Sequence, residues 1–369
     1  MNILEQPGLE QVYEEVLHGE TGWKILVGEQ AIASKPKVDG EDIYLTLDAN
    51  LQGNLYDQLK ATSGASVAID PTTGETLAMV SSPAYNPNDY ILGFDEGEYD
   101  TLKNNPNDPF SAKFNNKYSP GSTLKPLTAA IGLESETLDP EKVEEITGEK
   151  WEKYNVTRWS DKDSQVDLAD ALIQSDNIYF ARQAVNMGAE TFEKGLESFK
   201  FNQELDFPFP IATSSIANDS LTETLLAHSA YGQGQVLMSP FHLVMTYTMF
   251  VNEGNMISPY LRKEDGPAKK EQLIKAENAE LINSHLRQVV ASSNGTAKDA
   301  AVEGLAIAGK TGTAELKKTG EEKGQENGWF VAYEEEKKNL LIAMMMEDVK
   351  DGSHDTLKPV AEVFRNYQK

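Results

Sequence analysis

The chain has 369 residues, 39% of them hydrophobic, enough for one large domain with or without a small appendage. Lys and Arg total 33 against 59 Asp and Glu, a formal net charge of −26, and so acidic a surface repels phosphate backbones and excludes nucleic acid as a partner. There is no cysteine, which excludes disulfides, thiolate nucleophiles and Cys-ligated metals together. The histidines, His18, His228, His242, His285 and His354, lack ligand-like spacing, so no metal and no cofactor is expected, nor a nucleophile built on an obvious Ser/His pair. No apolar run approaches the roughly 20 residues that span a bilayer, and Met1–Pro7 has neither a basic start nor an apolar stretch. Such a chain reads as soluble and cytoplasmic, or as an exported one without its signal.

From the N-terminus, residues 1 to about 40 are polar and mixed, with a short helix through Leu9–Leu17. Alternation in Ile43–Leu47 predicts a strand, and Asp48 is placed to cap a helix running to Leu59. A domain boundary is expected near residue 37, dividing an extension, 1–37, from a main domain, 38–369. Two apolar runs, Ala65–Ile69 and Thr76–Val80, flank Asp70-Pro71-Thr72-Thr73-Gly74 and read as a hairpin. The Pro/Asn-rich stretch 83–107 reads as loop. From about 122 to 290 the pattern is helical, and strand signals return at Leu305–Ala308, Trp329–Tyr333 and Leu340–Met344 before a last helix, Leu357–Tyr367. Two strands early and three late predict an α+β fold: one central antiparallel five-stranded sheet flanked by helices, with a mostly helical subdomain.

Ser119-Pro120-Gly121-Ser122-Thr123-Leu124-Lys125-Pro126 carries the sharpest local signal. Pro126 is tolerated in a helix only in the first turn, and the spacing of Leu124, Leu127 and Ile131 predicts a helix, so its start is pinned near Ser122. The Ser122 N–H then lacks an intrahelical partner, and Lys125 lies on the same face as the Ser122 hydroxyl. A lysine whose pKa is lowered by burial and a second cation can deprotonate a serine without any histidine. The spacing alone is weak, since average composition gives roughly one Ser-x-x-Lys in a chain of this length, and an N-cap serine explains Ser122 as well. Ser34-Lys35-Pro36-Lys37 has the same spacing without a helix.

Ser175-Asp176-Asn177 interrupts an apolar run, which implies a corner between helices whose polar side chains are partnered in a structural or catalytic network. Ser292-Ser293-Asn294 also fits Ser-x-Asn but reads as an exposed turn. Lys310-Thr311-Gly312-Thr313 follows an apolar run, where a strand edge presents the lysine and hydroxyls and Gly312 admits a ligand close to the backbone. The repeat at Lys318-Thr319-Gly320 lies in a charged stretch and reads as solvated loop.

Taken together and in this order, the three motifs resemble the signature of penicillin-binding proteins and class A β-lactamases. Gly64–Asn88, Tyr231-Gly232-Gln233-Gly234 and Lys310–Leu316 resemble class B penicillin-binding proteins, and Tyr154–Arg158 with Ser175–Arg182 resemble the low-affinity, methicillin-resistance-type branch of Gram-positive bacteria. The resemblance spans about 40–369 and implies the serine β-lactamase/penicillin-binding transpeptidase fold. It implies a peptidoglycan D,D-transpeptidase acylated at Ser122 by stem peptides ending in D-Ala-D-Ala, or by β-lactam antibiotics. Lys125 would be the base, Ser175 a proton relay and Lys310 a source of positive charge. Asn177 would hold the substrate amide, and Thr311, Gly312 and Thr313 would line the carboxylate end. The N–H groups of Ser122 and Thr313 would form an oxyanion hole worth about 3 kcal/mol per donor. Trp159 would be either a gate at the site or an ordinary packed aromatic. The same resemblance implies action at the extracellular face of the cytoplasmic membrane, through an anchor and an upstream domain that this chain does not carry, beside a glycosyltransferase and other wall proteins. A serine β-lactamase, a D,D-carboxypeptidase, a β-lactam sensor and a wall-binding domain remain as alternatives.

Overall fold

The computed structural model describes residues 8–160, 163–316 and 325–367. Near the N-terminus the chain forms two one-turn helices, Leu9–Val12 and Glu14–Leu17, and then an antiparallel ribbon of β1 (Trp23–Val27) and β2 (Gln30–Lys35). Every residue of that ribbon is exposed. The composition of 1–40 hides it, because period-2 burial, the usual mark of a strand, is absent here.

Helix α1 (Ala49–Leu59) begins where expected: the Asp48 carboxylate accepts the N–H groups of Asn50 at 2.9 Å and Leu51 at 3.1 Å. Its leucines 51, 55 and 59 recur every fourth position and are buried as one stripe. Ile43–Leu47 does not form the predicted strand. Leu45 makes a single bridge to Arg262, and the alternation serves instead to pack Leu45 and Leu47 on the core.

The central sheet is built from β3 (Gly64–Ile69), β4 (Thr76–Ser82), β5 (Ile307–Leu316), β6 (Gln325–Glu334) and β7 (Leu341–Met346). Its order is β5-β6-β7-β3-β4, antiparallel throughout, so both ends of the domain supply one five-stranded sheet as the sequence predicts. The Asp70 carboxylate accepts the N–H groups of Thr72 and Thr73, at 2.8 and 3.0 Å, and shapes the β3–β4 turn. Alternate residues face opposite layers. Phe330, Ala332, Ile342 and Met344 pack with α1 and the terminal helix α7 (His354–Asn366). Trp329, Val331, Tyr333, Ala343 and Met345 face the helical subdomain, including α2 (Lys125–Glu134), α3 (Leu168–Ile173), α4 (Asn177–Met187), α5 (Pro240–Val251) and α6 (Ala276–Ala291). Burial on both faces explains why these strands read as continuous apolar runs.

Two further expectations need correction. The 83–107 segment contains the short helices Asp89–Leu92 and Glu98–Lys103, the second braced by the Glu98 carboxylate accepting the Asp95 N–H at 3.0 Å. The middle of the chain is helical but also carries two-residue and three-residue ribbons, such as Lys150–Trp151 paired with Val156–Thr157. Ser34 and Lys35 lie in exposed β2, and Ser293 and Asn294 in an exposed turn, while Lys318-Thr319-Gly320 falls outside the described residues.

Candidate active site

Gly121–Leu124 is a 3₁₀ turn that runs directly into α2, with Pro126 in the first turn of the α-helix. Ser122 is half-buried on this turn, and its N–H gives no bond to any described backbone carbonyl. Lys125 is fully buried. Its amine lies 2.6 Å from the Ser175 carbonyl oxygen, 3.0 Å from Ser175 Oγ and 2.7 Å from Asn177 Oδ1. The Ser122 hydroxyl makes no hydrogen bond among the described residues, so the amine is oriented by the Ser175–Asn177 corner and not by Ser122.

That corner joins α3 to α4. Ser175 adopts a left-handed backbone, φ 62, which breaks the helix and turns its hydroxyl inward. Asp176 caps α4 by accepting the Tyr179 N–H at 2.9 Å, and its other oxygen pairs with Arg158 at 3.0 Å. Arg158, itself buried, also donates to the carbonyls of Ile146, Gly148 and Asp163. Asn177 donates its amide to the Thr157 carbonyl at 2.8 Å. The polar triplet is therefore partnered throughout, as burial requires.

Lys310 enters from β5, the edge strand. Fully buried, it lies 2.9 Å from Ser175 Oγ and 3.3 Å from the Thr311 carbonyl. Burial lowers its pKa from 10.5 to about 7. Burial also holds the Lys125 pKa well below its ordinary value; the neighbouring Lys310 lowers it further and Asp176 opposes. A hydroxyl can accept from one amine while donating to another, so Ser175 links the two lysines through one oxygen.

Strand geometry sets the direction of the Thr313 backbone. The Thr313 carbonyl accepts from the Gln233 side chain at 3.3 Å, so it faces away from β6. Within a strand, N–H and C=O of one residue point to the same side, and the Thr313 N–H therefore also faces the open edge. The Ser122 turn lies against that edge: a Cβ on Gly121 would come 2.6 Å from the Thr313 carbonyl oxygen, and one on Gly312 would come 2.8 Å from that of Pro120. Gly312 thus admits the chain's own Ser122 turn, whereas the sequence suggested a ligand.

Thr311 Oγ1 pairs with Thr296 Oγ1 at 2.8 Å, and Thr313 Oγ1 accepts the Ser353 N–H at 3.0 Å while keeping its own proton to donate. Trp159 is 96% exposed and lines a depression together with Arg158 and Asp176. Ser353 and Thr296 were not reachable from the sequence, since each joins the site across a long chain separation with no local motif. Gln233, Arg158 and Asp176 lay within segments that carry the resemblance, but their partners did not show. Among the described residues no cluster of His, Cys, Asp and Glu could hold a metal.

The Ser122 turn, two buried lysines on one hydroxyl and an edge strand facing the turn form one polar centre on an α+β scaffold. The penicillin-binding protein transpeptidase domain model matches residues 64–369, and the chain belongs to that family. Penicillin-binding protein 3 of Bacillus subtilis is 49% identical over 374 residues, covering 97% of this chain and 56% of the relative. Peptidoglycan D,D-transpeptidase MrdA of Acinetobacter baumannii is 26% identical over 392 residues, covering 95% and 58%. The chain thus spans less than two thirds of the length of these relatives. Among solved structures, the D,D-transpeptidase domain of a peptidoglycan glycosyltransferase from Eggerthella lenta aligns with TM-score 0.80 at 26% identity, over 98% of this chain and 88% of that one. Pseudomonas aeruginosa PBP2 in complex with WCK 5153 aligns with TM-score 0.82 at 26% identity, over 97% and 82%.

Proposed function

We propose that this chain is a peptidoglycan D,D-transpeptidase domain whose nucleophile is Ser122. The observation that carries the reading is the Ser175 hydroxyl held between Lys125 and Lys310 beside the Ser122 turn. The Ser122 oxygen attacks the carbonyl of the penultimate D-Ala of a stem peptide, and its proton passes to neutral Lys125. The oxyanion forms against the N–H groups of Ser122 and Thr313. Collapse breaks the peptide bond, and the departing D-Ala amine takes a proton relayed through Ser175. A second peptide's amine then attacks the ester, loses a proton to Lys125, and leaves with a new amide bond while Ser122 regains its hydrogen.

Asn177 holds the donor amide in this reading, and Thr311 and Thr313 contact its terminal carboxylate, which the positive charge of Lys310 favours. Trp159, exposed next to Arg158, serves as a gate in this reading. Residues 1–37 form an extension to a transpeptidase domain at 38–369. The site of action is the outer face of the cytoplasmic membrane, with a glycosyltransferase as working partner. Among the described residues no helix is long and apolar enough to cross a membrane.

Intact mass after incubation with penicillin tests the reading on wild type and Ser122→Ala. A β-lactam keeps its leaving group tethered, so a persistent gain of one drug mass, absent in the variant, is expected. Rapid drug hydrolysis without an adduct would make the chain a β-lactamase. Acylation without turnover of any peptide would make it a sensor, and no adduct at all would remove the catalytic claim. Release of D-Ala to water alone would identify a carboxypeptidase.

A further inference from the structure

We infer that His228 is a positioning residue of this centre, clasping together the two segments that flank Ser122; the inference rests on Ser122 being the acylated nucleophile. His228 sits near the end of the short helix Glu223–Ser229. Its Nε2 lies 2.9 Å from the Tyr154 carbonyl oxygen, and its Nδ1 lies 2.8 Å from the Tyr231 hydroxyl. A carbonyl cannot donate, so Nε2 carries the proton. Nδ1 pairs with the Tyr231 hydroxyl, which can donate or accept. One imidazole therefore ties both partners together.

Each partner leads within three residues to the site. On one side, Tyr154 precedes Thr157, whose carbonyl holds the Asn177 amide, and Arg158, which holds Asp176. On the other, Tyr231 begins a strap over the nucleophile turn. The Gly232 carbonyl accepts the Gly121 N–H at 2.9 Å and the Ser119 hydroxyl at 2.6 Å, and the Gln233 amide donates to the Thr313 carbonyl. The strap thus grips the turn that carries Ser122 and the strand that carries its oxyanion donor. Tyr231 is 7% exposed, so its hydroxyl is aimed inward at the imidazole. Release of the clasp lets the strap shift by a fraction of an ångström, which misplaces the donors around the transition state more than it alters the groove that binds the ligand.

Acylation by a chromogenic penicillin, measured against drug concentration, separates the acylation rate constant from the affinity of the preceding complex. Tyr231→Phe, His228→Ala, the double variant and His228→Gln are compared with wild type, with thermal melts as a check of folding. Each single removal is expected to lower the rate constant about tenfold with affinity held within about twofold. The double variant should be no slower than His228→Ala alone, because the two groups act as one unit. His228→Gln, which keeps an N–H for the Tyr154 carbonyl, should recover part of the rate. Tyr231→Phe removes a single hydroxyl and carries the test where His228→Ala does not fold. A wild-type rate in Tyr231→Phe, a loss confined to affinity, or strictly additive losses would overturn the clasp. Absence of any acylation in wild type would instead overturn the nucleophile assignment on which the clasp stands.

Discussion

Lys125 and Lys310 approach the same oxygen, Ser175 Oγ, at 3.0 and 2.9 Å, one from the first turn of a helix and the other from an edge strand. Two ammonium groups so close cannot both stay charged at little cost, and burial disfavours each charge already. Burial holds the pKa of Lys125 down, and Lys310 lowers it further. Lys310→Met is therefore expected to raise the pKa of Lys125. In the pH profile of acylation, the rising limb should move to higher pH and the rate at neutral pH should fall by about 10²-fold or more. A limb that stays in place would mean that Lys310 does not tune the base.

Folding stability carries the same signature. Lys310 titrates at about 7 in the folded chain and near 10.5 when unfolded, so between these values the unfolded state binds more protons. Stability must then rise with pH through that window, most steeply by about 1.4 kcal/mol per pH unit for each such lysine. The gain is complete only above the unfolded pKa, and it is lost as pH falls through the folded one. Buried Tyr118 and Tyr231, with pKa values pushed up by burial, reverse the trend above pH 10. Urea denaturation from pH 7 to 9.5 should show the rise in wild type and a flatter line in Lys310→Met.

The Arg158–Asp176 pair supports the corner that holds Ser175. Both side chains are almost wholly buried, at 2% and 7% exposure, so removing one partner leaves a charge without compensation. Arg158→Met should destabilise the fold by about 3–5 kcal/mol, and adding Asp176→Asn should return part of that loss. Denaturant midpoints of the single and double variants decide this. If the second substitution adds to the first, the pair is not what the guanidinium contributes.

The sheet and the placement of the three motif segments were legible because each has a local physical signature. Pro126 fixes a helix start, the Asp48 carboxylate fixes another, and continuous apolar runs mark strands buried on both faces. The β1–β2 ribbon was not legible, since it buries neither face, and Ile43–Leu47 alternated for packing without a partner strand. Within the site, residue types were readable but their orientation was not. The spacing places Lys125 on the face of Ser122, whereas its amine is held by Ser175 and Asn177. Likewise, nothing near Gln233 or Ser353 in the sequence says that both meet Thr313.

Glycines give the sharpest contrast between fold and site. Gly232, at φ +76, lies so close to the Ser122 turn that a Cβ would come 1.9 Å from the Gly121 carbonyl oxygen. Gly232→Ala must push the strap off that turn, and acylation is expected to fall by about 10²-fold. Gly53, in the exposed face of α1, has open space around its Cβ position and an ordinary helical backbone. Gly53→Ala should stabilise the chain by about 0.5–1 kcal/mol with acylation unchanged. Paired measurement of melting temperature and acylation rate reads both effects. An active Gly232→Ala would show that the strap yields without cost to the reaction, and the close packing of Gly232 on Gly121 would then be a feature of the fold alone.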